Sequence, residues 1–81
     1  MTHDPVVYWR PGCGFCRRLR KGLDRAGVQR TEHDIWDDEA ARSFVRSVNG
    51  GNEIVPTVVI GDRLLVNPRV EEVLALVDLG V

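Results

Sequence analysis

Two cysteines separated by two residues are the side chains in this sequence best suited to chemistry, and they lie in the segment Cys13-Gly14-Phe15-Cys16. Thiols at this spacing can form a disulfide with each other and exchange it with a disulfide on another molecule. The loop that such a disulfide closes is very small and would stabilise the fold little. The pair therefore predicts a dithiol redox site rather than a structural cross-link.

A strand and a helix are predicted on either side of the two cysteines. Val6-Val7-Tyr8-Trp9 is a short apolar run followed by Pro11-Gly12, which is typical of a buried strand that ends in a turn. Beyond the cysteines, the helical spacing of apolar residues predicts a helix over 15–26, stopped by Gly27. The cysteines thus lie where a strand passes into a helix.

This position makes the two thiols unequal. Cys13 falls at the helix N-terminus, where free backbone N–H groups and the helix dipole favour a thiolate, so we expect it to be the nucleophile. Cys16 lies one turn later on the inward side and is expected to resolve a mixed disulfide on Cys13. Gly14 keeps the loop narrow for an approaching substrate sulfur, and Phe15 supplies an apolar wall.

A second strand and a second helix follow. The loosely alternating segment 28–35 is expected to form an edge strand, because its middle is polar. Asp37 and Asp38 can cap the next helix, which ends at Asn49-Gly50-Gly51-Asn52.

The C-terminal third predicts a hairpin and a last helix. Strands over 57–60 and 63–66 are joined by Gly61-Asp62, which suits a type II′ turn. Asn67-Pro68 opens the helix, with asparagine as the cap and proline in the first turn. The predicted order is βαβαββα, an α/β fold.

The composition fits one small domain over residues 1–81, since 43% hydrophobic content in 81 residues provides a single core. The 11 basic and 12 acidic side chains give a formal charge of −1, so no overall field favours nucleic acid or an anionic membrane. The sequence shows no signal-peptide pattern and no apolar run of membrane-spanning length. We expect a cytoplasmic monomer without nucleic-acid or membrane partners.

Metal binding is the main alternative use of the two thiols. A zinc site needs two more ligands, and only His3, near the terminus, and His33, on a neighbouring strand, are available as histidines. An iron–sulfur cluster shared between subunits is a second form of this alternative. We expect no bound metal, but a metal-binding module stays open.

Basic and aromatic side chains surround the cysteines. An arginine near Cys13 would favour its thiolate and grip a substrate carboxylate, and Arg10 is the best candidate. Arg18 and Arg20 are expected on a solvated helix face. Trp9 is expected to be partly exposed, whereas Trp36 is expected to pack inside the protein.

Over essentially its whole length the sequence resembles the glutaredoxin family, and within it the mycoredoxin branch of bacteria that use mycothiol in place of glutathione. The residues that carry the resemblance are Tyr8-Trp9-Arg10-Pro11-Gly12-Cys13-Gly14-Phe15-Cys16-Arg17, Asp34-Ile35, Ala40-Ala41, Asn49-Gly50-Gly51-Asn52-Glu53, Val55-Pro56-Thr57-Val58 and Val66-Asn67-Pro68.

The resemblance implies a thioredoxin fold, in which a four-stranded mixed sheet of order 2-1-3-4 is flanked by three helices. It also implies that Pro56 is cis and faces Cys13, and that Val55 offers its backbone to the cysteine part of a small thiol. Glutaredoxins usually carry a Gly-Gly pair after the last strand, where this chain has Asn67-Pro68. This departure favours mycothiol as the thiol co-substrate.

The function implied is a thiol–disulfide oxidoreductase that reduces protein–mycothiol mixed disulfides, with no bound cofactor. Its partners would be mycothiol and mycothiolated or disulfide-containing proteins. The alternative enzyme is a dithiol electron carrier that is reduced by thioredoxin reductase and serves ribonucleotide reductase. In the first function Cys16 is dispensable, and in the second both cysteines are required.

Overall fold

The computed structural model describes residues 4–78 as four short strands and three helices. The helices are amphipathic, and each begins after a turn that follows a strand. In chain order the elements are β1 (Val6–Trp9), α1 (Gly14–Arg25), β2 (Thr31–Asp34), α2 (Glu39–Val48), β3 (Thr57–Ile60), β4 (Arg63–Val66) and α3 (Val70–Asp78).

The strands form one sheet in the order β2-β1-β3-β4, as predicted. β1 runs parallel to β2 and antiparallel to β3, and β4 pairs antiparallel with β3. Tyr8 is opposite His33 on one side and Thr57 on the other. The chain that leaves β1 and the chain that enters β3 therefore lie next to each other, at the same end of the two central strands.

The core lies in two layers on opposite faces of the sheet, because side chains alternate along a strand. α1 and α3 cover one face, where Val7 and Leu23 are fully buried with Val73. α2 covers the other face, where Val45 packs with Ile35 and the half-buried Tyr8. The three helices thus flank the sheet as the family resemblance implies.

The predicted element order is confirmed, but two elements begin three residues later than predicted. β2 begins at Thr31 and not at 28, since the Val28 carbonyl accepts a hydrogen bond from the Arg30 side chain and pairing with β1 starts at Thr31. α3 begins at Val70 and not at Asn67, whose φ of 50° is left-handed. The backbone N–H of Arg69 is bonded by the Glu72 carboxylate, so capping occurs two residues later than expected.

A set of ion pairs connects α1 to the edge strand β2. Glu32 accepts hydrogen bonds from Arg20 (3.1 Å) and Arg30 (2.8 Å), and Arg30 also binds Asp24 at 2.6 Å. Partial burial alone would raise the pKa of Glu32, but the two guanidinium groups outweigh it and hold the pKa below its ordinary value. Glu32 therefore stabilises the fold in its charged form.

We expect Glu32→Gln to lower the free energy of unfolding near neutral pH by roughly 1–2 kcal/mol, because it removes a charged acceptor shared by two arginines. The folded-state pKa lies below the unfolded one, so this stabilisation is complete above about pH 4.3 and is lost as the pH falls further. Urea denaturation of both proteins between neutral and acid pH measures the difference. Glu71→Gln, at an exposed position of α3, is the control; a difference that persists in acid would contradict the prediction.

Gly22 allows α1 and α3 to pack closely. A Cβ atom at this position would lie 2.8 Å from Val70 Cγ2 and 3.0 Å from Val70 Cβ. The valine Cβ belongs to the rigid start of its side chain, so it cannot move away without shifting the helix. The glycine is retained here in the middle of a helix for a steric reason.

We expect Gly22→Ala to destabilise the protein by about 1–3 kcal/mol through overpacking, although alanine favours helix. Gly14→Ala is the matched control in the same helix, because the nearest atom to its Cβ would be an Arg17 guanidinium nitrogen at 3.9 Å. Thermal unfolding compares the two. A Gly22→Ala protein as stable as the control would show that α3 shifts freely.

Candidate active site

Cys13 is the N-cap of α1. Its backbone is extended (φ −98°, ψ 112°), and its Sγ accepts a hydrogen bond from the backbone N–H of Cys16 at 3.2 Å. The preceding Gly12 has φ 76°, a left-handed conformation that glycine adopts readily and that completes the turn out of β1. The sulfur thus occupies the position where a helix N-terminus stabilises negative charge.

Cys16 faces inward and is 1% exposed, against 9% for Cys13. Burial, together with a hydrogen bond to the Cys13 side chain, raises the pKa of Cys16 to about 12. A hydrogen bond with the Arg10 backbone and the charge of Arg10 both lower the pKa of Cys16, but by less than the other two effects raise it. Cys16 is therefore a protonated thiol at neutral pH, whereas Cys13 occupies the anion-stabilising position.

The segment before β3 faces Cys13. The Val55 carbonyl lies 3.9 Å from Cys13 Sγ, and both cysteines are free thiols. The Val55–Pro56 peptide bond is cis, as the family resemblance implies, and Pro56 is buried. The Pro56 carbonyl accepts a hydrogen bond of 2.8 Å from the backbone N–H of Asn67, which joins this segment to the loop before α3.

Thr57 and Asn49 support this segment, and sequence reasoning missed both roles. Thr57 is fully buried, and its hydroxyl donates to the Ile54 carbonyl at 2.7 Å. Asn49, the C-cap of α2, donates to the same hydroxyl at 3.3 Å. The signal available in the sequence was a polar residue in an otherwise apolar strand directly after Val55-Pro56.

A groove of about 370 Å³ lies between the start of α1 and the loop before α3. Phe15, which is 60% exposed, forms one wall, and Asn67 and Pro68 form part of the other. Phe15 and Gly14 also border a shallower hollow of about 410 Å³ with basic side chains of α1. Phe15 therefore lies at the surface and not in the core with Leu19 and Leu23, although its spacing matches theirs.

Arg10 lies close enough to Cys16 for its charge to act on that thiol, but its side chain forms a hydrogen bond with the backbone. Its guanidinium donates to the Pro11 carbonyl at 3.2 Å and lies 5.5 Å from the Trp36 ring centroid. Trp36 is 58% exposed, so the expectation that it packs inside is wrong. It lies in the turn between β2 and α2, with the Arg10 guanidinium near its ring.

Arg20 also differs from its expected role. It lies 3.9 Å from the Trp9 ring centroid and binds Glu32, so it is a structural brace rather than a solvated charge. Trp9 is partly exposed as expected, with Arg20 over its ring. Arg18 is exposed, as predicted, and lies 5.9 Å from the centroid of Phe15.

Within residues 4–78, no group of three or more His, Cys, Asp and Glu side chains is arranged to hold a metal ion. His33 stacks on Tyr8 at 5.4 Å and lies 3.5 Å from Asp38. His3 lies outside the described residues. In the same part of the chain, no helix has the length and apolarity needed to cross a membrane.

Comparisons with known proteins agree with this geometry. The glutaredoxin family model matches residues 6–65. A Mycobacterium tuberculosis protein described as a glutaredoxin is 44% identical over 76 residues, which cover 93% of this chain and 90% of that protein. Mycoredoxin 1 of Corynebacterium glutamicum is 42% identical over 74 residues, which cover 90% and 91% of the two chains.

A solved structure gives the same result for the fold. The crystal structure of a glutaredoxin from Archaeoglobus fulgidus superposes with a TM-score of 0.72 at 26% identity, and covers 91% of this chain and 85% of that one. The thioredoxin fold and the resemblance to the mycoredoxin branch are thus confirmed. The chain belongs to the glutaredoxin family and is a glutaredoxin-like thiol–disulfide oxidoreductase.

Proposed function

We propose that this protein reduces protein–mycothiol mixed disulfides, with Cys13 as the nucleophile and mycothiol as the electron donor. The observation that carries the proposal is the inequality of the two thiols. Cys13 caps α1 and receives the Cys16 N–H, while Cys16 is buried with its pKa raised to about 12. One thiol is thus prepared to attack and the other is held protonated.

The reaction proceeds in two exchanges. The Cys13 thiolate attacks the mycothiol sulfur of the mixed disulfide, a Cys13–mycothiol bond forms, and the target protein leaves as a thiolate that takes up a proton. A second mycothiol thiolate then attacks the mycothiol sulfur on Cys13. Mycothiol disulfide leaves and Cys13 returns to its reduced form, so neither exchange requires Cys16.

Mycothiol is supported as the donor by two observations. The chain is 42% identical to a protein named Mycoredoxin 1. In addition, Asn67-Pro68 occupies the loop beside Pro56 and borders the groove next to Phe15. A glutaredoxin usually has a glycine pair in this place, so the groove offers a different surface to a small thiol.

A dithiol carrier reduced by thioredoxin reductase is the second candidate. The closeness of Cys16 to Cys13 favours it: the Cys16 backbone N–H bonds Cys13 Sγ at 3.2 Å, and a thiol this near the nucleophile can resolve a mixed disulfide quickly. The two candidates differ in their electron source and in their need for Cys16.

We expect Cys16→Ser to retain at least about a tenth of the wild-type rate of protein demycothiolation, and Cys13→Ser to lose it by about a thousandfold or more, since only Cys13 forms the covalent intermediate. A coupled assay with mycothiol, its reductase and NADPH measures both variants. Loss of activity in Cys16→Ser would contradict the monothiol route.

The electron donor is tested separately with the wild-type protein. We expect turnover of a mycothiolated protein with mycothiol and its reductase, and turnover at least about tenfold slower when thioredoxin reductase and NADPH replace them. Efficient reduction by thioredoxin reductase without mycothiol would select the dithiol carrier instead.

The raised pKa of Cys16 predicts its resistance to alkylation. In Cys13→Ser, burial still opposes ionisation of Cys16, so iodoacetamide at about pH 8 should modify it only after denaturation. In Cys16→Ser, Cys13 should be alkylated in the native protein. Mass spectrometry of the two variants gives the result, and rapid labelling of native Cys16 would show that the thiol is accessible and ionised.

A further inference from the structure

The lysines and arginines of this chain fall into two groups, those that form an ion pair with a carboxylate of residues 4–78 and those that do not. It has 11 lysines and arginines, and all lie within residues 4–78. Some form ion pairs with a carboxylate: these are Arg20, Arg30, Arg42, Arg46, Arg63 and Arg69. The others have no ion-pair partner in this part of the chain: these are Arg10, Arg17, Arg18, Lys21 and Arg25.

All the unpaired cations belong to the segment that carries the cysteines. Arg17, Lys21 and Arg25 follow each other at i, i+4 and i+8, so they form one exposed stripe along α1 that starts a turn after Cys13. The first two border the hollow next to Gly14 and Phe15. We call Arg17, Lys21 and Arg25 the basic stripe.

The basic stripe is unfavourable for the isolated helix. Like charges four residues apart repel each other, and Arg17 near the start of the helix opposes the helix dipole, although Arg25 in the last turn is favourable. The single acidic residue of α1 is Asp24, and it is bound by Arg30. The fold therefore holds a concentrated positive field beside the nucleophile of a chain whose formal charge is −1.

We propose that the basic stripe docks an acidic segment of the substrate protein, next to the cysteine whose disulfide is reduced. The inference rests on the proposed function in that it requires a protein substrate at Cys13. From Arg17 to Arg25 the stripe is about 12 Å long, because a helix rises 1.5 Å per residue. Arg25 lies twelve residues beyond Cys13, about 18 Å along the helix, so a polypeptide segment of roughly five or six extended residues reaches it from a cysteine bound at Cys13.

Complementary charge at the edge of a binding site mainly accelerates association. The basic stripe would thus select among target proteins through the rate at which they meet Cys13. Mycothiol lacks the free carboxylates of glutathione, so the stripe is not required to hold the donor. Substrate choice and electron donation would depend on different surfaces of the same small domain.

The test uses the reduced protein and mixed disulfides between a cysteine peptide and thionitrobenzoate. Cys13 attacks the peptide sulfur, the peptide–thionitrobenzoate bond breaks, and the coloured thiolate leaves with the electron pair. Three peptides differ only in acidic, neutral or basic flanks, and the mercaptoethanol disulfide of the same leaving group is the small reference substrate. No mycothiol is present, so failure of the proposed donor does not affect the result.

We expect the acidic peptide to react about tenfold faster than the neutral one at low salt, and this advantage to shrink towards about 0.15 M salt. The double variant Arg17→Glu/Lys21→Glu should abolish the advantage and favour the basic peptide, with the rate of the reference substrate unchanged. Arg63→Glu is the charge-reversal control for each of the single variants Arg17→Glu and Lys21→Glu, since Arg63 pairs with Ile60 at the end of the sheet opposite the cysteines.

Three results would overturn the proposal. Wild-type protein that reacts equally with the acidic and neutral peptides has no acidic docking surface. Equal slowing of all substrates, including the small reference, in the double variant would mean that the stripe acts on Cys13 itself. Removal of the preference by inorganic phosphate at constant ionic strength would identify the stripe as a site for small anions.

Discussion

The hydrogen bond from the Cys16 backbone to Cys13 Sγ connects the fold of this protein to its chemistry. Helices usually begin with a serine, threonine, aspartate or asparagine whose oxygen accepts this bond. Here a cysteine sulfur takes that position at 3.2 Å, so the atom that caps the helix is also the proposed nucleophile. The contacts that fix the start of α1 therefore also fix the position of this sulfur.

Two other parts of the structure, β1 and the segment before β3, fix the position of Cys13 Sγ. β1 is a central strand of the sheet, and the chain after it places Cys13 at the end of the sheet where β3 begins. Thr57 and Asn49 hold the chain before β3, so that the Val55 carbonyl faces Cys13 at 3.9 Å. Cys16, one turn further along α1, is 1% exposed, and this burial is the main reason why its pKa is raised to about 12.

Within residues 4–78 the basic side chains fall into two groups: those in ion pairs support the fold, and those without acidic partners lie on the segment that carries the cysteines. Arg20 and Arg30 neutralise Glu32 and brace the edge strand β2 against α1. The basic side chains without acidic partners in the described part of the chain lie instead between Arg10 and Arg25, on the segment that carries the cysteines. The ion pairs around Glu32 thus support the edge strand, whereas the cations on the exposed side of α1 are left in contact with solvent.

The sequence by itself determined the reaction, the order of elements and the capping position of Cys13, because these depend on residue spacing over a few turns of chain. It also indicated the cis-Pro56 through family resemblance. Only the tertiary structure decided that Arg20 braces β2, that Trp36 is exposed, that Asn67 precedes α3 without capping it, and that Thr57 supports the site. These properties depend on which groups from different elements come into contact. A single neighbour can decide whether a side chain forms an ion pair, is buried or stays exposed to water. Spacing along one element does not contain that information.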